Sequence, residues 1–133
     1  MAQKKRKTQK NRQKPTDAEL EILAALWQKE PCTVREIHEL LNEKREIGYT
    51  TVLKLMQIMT EKELVTRDES QRSHVYRSKY RQEQTQRQLV GDLLNKAFGG
   101  AADKLVMQAL RSKKVTADEL SKIQELLDEY SED

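Results

Sequence analysis

A chain of 133 residues, 36% hydrophobic and 35% charged, has room for one small domain plus an appendage, with a thin apolar reserve for its core. Its single cysteine rules out an intramolecular disulfide, and no apolar run approaches the ~18 residues of a membrane span, so no membrane insertion is expected. Two histidines and one cysteine in separate segments, with no glycine-rich phosphate loop and no nucleophile motif, point away from an enzyme and imply neither metal nor cofactor.

The formal charge of +3 is unevenly spread: residues 1–14 carry +7, residues 15–81 carry −1 and residues 82–133 carry −3. The start, MAQKKRKTQKNRQK, has no aliphatic periodicity and is expected to be a disordered basic arm. No apolar stretch follows its charges, so it does not read as a secretory signal, and the cytoplasm is the expected location.

Thr16-Asp-Ala-Glu19 is a capping box, in which a hydroxyl and a carboxylate satisfy amides that a helix start leaves open. Leu20, Leu23, Ala24 and Trp27 follow at helical spacing, widened by Leu26, and predict a helix over about Asp17–Gln28. Lys29-Glu30-Pro31 breaks it. Thr33-Val-Arg-Glu36 is a second capping box, and Val34, Ile37, Leu40 and Leu41 predict a helix over about Val34–Asn42. After Gly48, a third stripe of Val52, Leu55, Met56 and Met59 predicts a helix over about Thr50–Lys62. The period then changes. Residues 64–68 and 74–80 are rich in β-formers around the polar tip Glu69–Ser73, which predicts a hairpin. An isolated hairpin is barely stable in water, so this one must lie against the helices. The expected fold is mainly α with a small β-hairpin: a winged helix-turn-helix domain over 15–81, followed by a C-terminal helical dimerisation region over 82–133.

With Val52, Leu55, Met56 and Met59 turned inward, 100° per residue sends Thr50, Lys54 and Gln57 outward, with Leu53 on the flank. Threonine hydroxyls can approach phosphates, lysine a phosphate or guanine, glutamine an adenine and leucine a thymine methyl. This is the make-up of a recognition helix in the major groove of double-stranded DNA, although an ordinary solvated face has the same composition. The wing adds Arg67, Arg72, Arg77 and Lys79, with His74 among them, which suits a backbone-following loop. Tyr49 either caps the third helix and touches a phosphate or packs under the second; packing with a polar edge is favoured. The candidate DNA-binding set is Tyr49, Thr50, Thr51, Leu53, Lys54, Gln57, Arg72, His74 and Arg77. A winged helix that binds protein instead of DNA is the alternative.

Beyond Tyr80 the pattern is helical again over Gln82–Phe98, ended by Gly99-Gly100, then over Ala101–Arg111. A third capping box, Thr116-Ala-Asp-Glu119, opens the last helix. Short helices are marginal alone. Their stripes, Leu89, Leu93, Leu94, Phe98, Leu105, Val106, Leu110, Leu120, Ile123 and Leu127, are expected to meet a second copy in a homodimer, the other option being a tail folded onto its own reader.

Thr16-Asp-Ala-Glu-Leu-Glu-Ile-Leu23 with Trp27, Thr33-Val-Arg-Glu-Ile37, Gly48-Tyr-Thr-Thr-Val-Leu-Lys-Leu55, Glu61-Lys-Glu-Leu-Val65, Val75-Tyr-Arg77 and Phe98-Gly-Gly100 together resemble the penicillinase-repressor (BlaI/MecI) family. The resemblance runs from about Pro15 to Asp128. It implies a homodimeric repressor on a near-palindromic operator, with Thr50, Thr51 and Lys54 at base and phosphate contacts. It also implies a membrane sensor metalloprotease that acts indirectly to trigger cleavage in the C-terminal region. Two positions depart from the pattern: Leu53 stands where several members are basic, and Gln108-Ala109 where the resistance repressors have the Asn-Phe pair that is cut. The paired C-terminal cysteines of the copper-responsive branch are absent from this tail.

Overall fold

The first two helices begin where a threonine satisfies their leading amides. In the computed structural model, which describes residues 13–131, Thr16 Oγ1 accepts from the Glu19 amide at 3.2 Å, and Glu19 Oε1 accepts from the Thr16 amide at 2.9 Å. Helix α1 (Asp17–Gln28) follows. Thr33 and Glu36 repeat the exchange at 3.2 and 2.8 Å and open α2 (Val34–Asn42). The basic arm expected over 1–14 lies, but for its last two residues, outside the described residues.

Helix α3 (Tyr49–Glu61) starts one residue before the expected Thr50, with Gly48 as its N-cap and Lys62 as its C-cap. It ends in a Schellman turn: the Leu64 amide donates to Met59 O at 2.9 Å and the Glu63 amide to Thr60 O at 3.1 Å. Glu63 is left-handed there, at φ 63°, a conformation that costs a residue with a Cβ about 1–2 kcal/mol. Strands β1 (Val65–Asp68) and β2 (Val75–Ser78) then pair antiparallel, Val65 opposite Ser78 and Asp68 opposite Val75. Three helices followed by a hairpin is the winged-helix order.

Cys32, just ahead of α2, adds a strand-like rung to the hairpin. Its amide donates to Tyr76 O at 3.1 Å and its carbonyl accepts from the Tyr76 amide at 2.8 Å. Its side chain is fully buried, and that burial pushes the thiol pKa up. A second tie joins α1 to the chain leaving the wing, where Trp27 Nε1 donates to Tyr80 O at 3.2 Å.

The core is built from Ile22, Leu23 and Leu26 of α1, Val34, Ile37 and Leu41 of α2, Val52, Met56 and Met59 of α3, and Leu64, Val65 and Tyr76 of the wing. Each large side chain taken out of water here contributes about 1.5–3 kcal/mol. The α1 stripe is rotated from the expected one. Ile22, Leu23, Ala25 and Leu26 point inward, Ala24 is exposed, and Leu20 and Trp27 sit at the edge. Glu19 is the physical reason. Its carboxylate is drawn inside to meet Lys62 Nζ at 3.0 and 2.9 Å, so a charged residue occupies a position that periodicity assigns to an apolar one.

The described chain divides into two compact units, the first ending at Leu89 and the second beginning at Val90, a division that falls within α4 (Gln82–Phe98). Gly99 and Gly100, at φ 55° and 84°, end α4 in the left-handed region that glycine enters freely. Helices α5 (Ala102–Arg111) and α6 (Ala117–Ser131) follow. The Thr116–Glu119 capping box closes at 3.0 and 3.1 Å. Neither α5 nor α6 buries a residue.

Candidate nucleic-acid interface

The turn between α2 and α3 is held by two side chains of α2. Asn42 Oδ1 accepts from the Ile47 amide at 3.1 Å, and His38 Nε2 donates to Ile47 O at 2.8 Å. Arg45 reaches Glu21 of α1 with two nitrogens, at 3.1 and 2.7 Å, and this pairing lowers the Glu21 pKa. At the other end of α3, the Glu19–Lys62 pair ties the helix to the start of α1. The outer face of α3 is thus presented by a helix fixed at both ends.

That face carries Thr50, Thr51, Lys54 and Gln57, all exposed, opposite the buried Val52, Met56 and Met59. Tyr49 is the first helical residue and not the cap. It is 44% exposed and sets its ring edge-on to His38, 5.8 Å between centroids. Leu53 is half-buried and packs against the core margin.

The wing divides its cations into two sets. Arg67 is held by the Tyr76 hydroxyl and by Glu69, which raise its pKa in that order, and Lys79 pairs with Glu63 at 2.8 Å. Arg72, His74 and Arg77 are exposed. Asp68 accepts from the Ser70 amide at 2.9 Å, an Asx turn that begins the tip. Between the tip, the start of α2 and the start of α3 lies a groove of about 450 Å³, lined by Thr33, Val34, Arg35, Tyr49, Leu53, Arg72, Ser73, His74 and Tyr76.

Four of the nine residues anticipated for DNA therefore share one groove: Tyr49, Leu53, Arg72 and His74. Thr50, Thr51, Lys54 and Gln57 extend from it along α3, while Arg77 lies on β2, opposite Thr66. The groove also takes in Arg35 and Ser73, which are not among the nine. The one sequence signal at Arg35 is a cation placed in the first turn of a helix, where an acid is the favoured residue. In the second unit, Leu93, Val106, Leu120 and Leu127 are 45–54% exposed, and Leu94, Phe98, Leu105, Leu110 and Ile123 are half-buried. Leu89, at the end of the first unit, is also half-buried.

Three helices, a hairpin and an outward polar face on the third helix define a winged helix-turn-helix protein. The family model of the penicillinase repressors matches residues 15–129. A transcriptional regulator BlaI of Mycobacterium tuberculosis is 32% identical over 117 residues, covering 85% of this chain and 82% of its own. A penicillinase repressor of Staphylococcus aureus is 22% identical over 114 residues, covering 86% and 90% respectively. The chain belongs to the penicillinase repressor family, whose members are transcriptional regulators and not enzymes. Among the described residues, no helix is long and apolar enough to cross a membrane.

Proposed function

We propose that the protein is a homodimeric repressor that binds a near-palindromic operator in double-stranded DNA of the bacterial cytoplasm. The observation that carries the reading is the solvent face of α3, where Thr50, Thr51, Lys54 and Gln57 stand exposed on a helix anchored at both ends. Lys54 and Gln57 are the base readers, and each good base contact is worth about 1–3 kcal/mol of discrimination. Thr50, Thr51 and Tyr49, with Arg72, His74 and Arg77 of the wing, set the reader on the backbone. Dimerisation rests on the second unit, whose α5 and α6 bury no residue fully and leave leucines and a valine half in water. A second copy removes that surface and supplies the second reader that a palindrome requires. Release through a sensor-triggered protease would fall on this unit, where Gln108 and Ala109 are exposed on α5.

The test is selection of bound sequences from a random duplex pool, with the winners' affinity measured across salt. The expected result is a near-palindromic motif bound by two chains, with affinity falling steeply as salt rises. No enrichment, with weak binding that does not depend on sequence, would leave a protein-interaction module as the better account.

A further inference from the structure

We infer that the groove between the start of α2, the start of α3 and the wing tip is a seat for a single DNA backbone phosphate in each half-site, clamped by Arg35 and Arg72. The inference rests on the operator-binding reading and deepens it. Arg35 and Arg72 come from elements far apart in sequence, line one groove and are exposed, and neither enters an ion pair among the described residues. Arg67 of β1, opposite Tyr76, is by contrast already paired with Glu69. No carboxylate lines the groove. Glu36, the nearest acid in sequence to Arg35, is turned back to the Thr33 amide at 2.8 Å. Arg35 therefore lines the groove without an ion pair, in the first turn of α2, where the carboxylate of Glu36 is engaged by the Thr33 amide and leaves the guanidinium to an outside anion.

The rest of the lining is uncharged: the hydroxyls of Thr33 and Ser73 stand beside the half-buried Leu53. Cations among hydroxyls with one aliphatic edge fit a phosphodiester, whose sugar edge can lie on Leu53 while its oxygens take the charged donors. Arginine forks suit this ligand because two parallel N–H groups match two phosphate oxygens. The groove opens beside Tyr49 at the first turn of α3. A phosphate held there fixes the register at which Thr50, Lys54 and Gln57 meet the bases. Arg35 is thus a positioning residue for the readers, indifferent to the base sequence.

The experiment uses the full chain, the selected operator, and duplexes in which one phosphate at a time is replaced by a neutral methylphosphonate. For the unaltered protein, one replaced position in each half-site is expected to weaken binding roughly tenfold, the scale of one charged hydrogen bond. Arg35→Ala is expected to weaken operator and random duplex by the same factor, to flatten the salt slope by about 0.9 per half-site, and to become insensitive to that methylphosphonate. Arg35→Lys keeps the charge and is expected to recover most of the loss. An unchanged slope, or an Arg35→Ala variant that still feels every methylphosphonate as the parent does, would overturn the clamp while leaving operator binding intact. So would a changed base preference, which would make Arg35 a reader. Selective displacement of the parent but not of Arg35→Ala by inorganic phosphate at matched ionic strength would assign the groove to a free anion. A parent protein that binds no duplex would overturn both readings together. Arg35 is exposed, so thermal unfolding of its variants is expected to match the parent and to exclude misfolding as the cause.

Discussion

Removing the lysine that meets Glu19 tests the account of how α3 is held. In Lys62→Met, the Glu19 carboxylate, 2% exposed, loses both contacts to Nζ and keeps only the Thr16 amide at 2.9 Å. Breaking a fully buried pair costs about 3–5 kcal/mol because the survivor is left charged and dry. An exposed pair is worth about 0–1 kcal/mol. Here the carboxylate is dry and the lysine is 24% exposed, so the expected loss is intermediate, about 2–3 kcal/mol. In a unit of this size, such a loss lowers Tm by roughly 8–24 °C. Trp27, the chain's one tryptophan, sits at the margin of the same core, so its fluorescence follows urea and thermal unfolding of this unit. Glu19→Gln keeps an oxygen for the capping box and removes the charge. The double variant is therefore expected to regain at least half of what Lys62→Met loses, which a double-mutant cycle resolves. A Lys62→Met protein within about 0.5 kcal/mol of the parent would show that the pair behaves as a surface bridge and that α3 is held by packing alone.

Thr33→Ala removes the hydroxyl that caps α2 and is expected to cost about 0.5–2 kcal/mol in urea unfolding; no loss would mean that the box is ornamental. Glu119 is held down to about 2, first by the Thr116 amide and then by Lys113. A depressed carboxylate contributes fully above its ordinary value of 4.5 and loses that contribution as pH falls from there toward 2. A carbon-13 titration of Glu119 should therefore show a midpoint near 2 that moves up in Thr116→Ala, and a parent midpoint at 4.5 would refute the cap. Leu93→Glu combined with Leu127→Glu places charge on the exposed apolar face of the second unit. Sedimentation is expected to show a dimer for the parent and monomers for the variant; a variant that still dimerises would place the contact elsewhere.

The three helices and the wing were legible because capping boxes and stripes are local signals. Thr16, Thr33 and Thr116 each start a helix where the pattern puts one. The outward face of α3 was legible for the same reason, since Val52, Met56 and Met59 fix which residues turn away. The rest depends on contacts between distant segments. Glu19 and Lys62 are 43 positions apart, and nothing in the local pattern around Glu19 shows the partner that lets a carboxylate stand at an interior position. The rung between Cys32 and Tyr76 is equally non-local. Hairpin cations looked equivalent in sequence, and only pairing separates Arg67 and Lys79, which are spent on carboxylates, from Arg72. Arg35 was absorbed into a helix start because its groove is made by three separate elements.

The rung at Cys32 also bears on how this wing can change over time. It locks the register of β2 to the backbone ahead of α2, so the base of the hairpin belongs to the core. Residues 69–74 lie beyond that lock and are all exposed. Insertions, deletions and charge changes there leave the packed interior untouched. On the proposed operator-binding function, the tip is therefore a module in which the protein's lineage can adjust reach and grip while the outward face of α3 stays constant, separating the evolution of affinity from that of sequence choice.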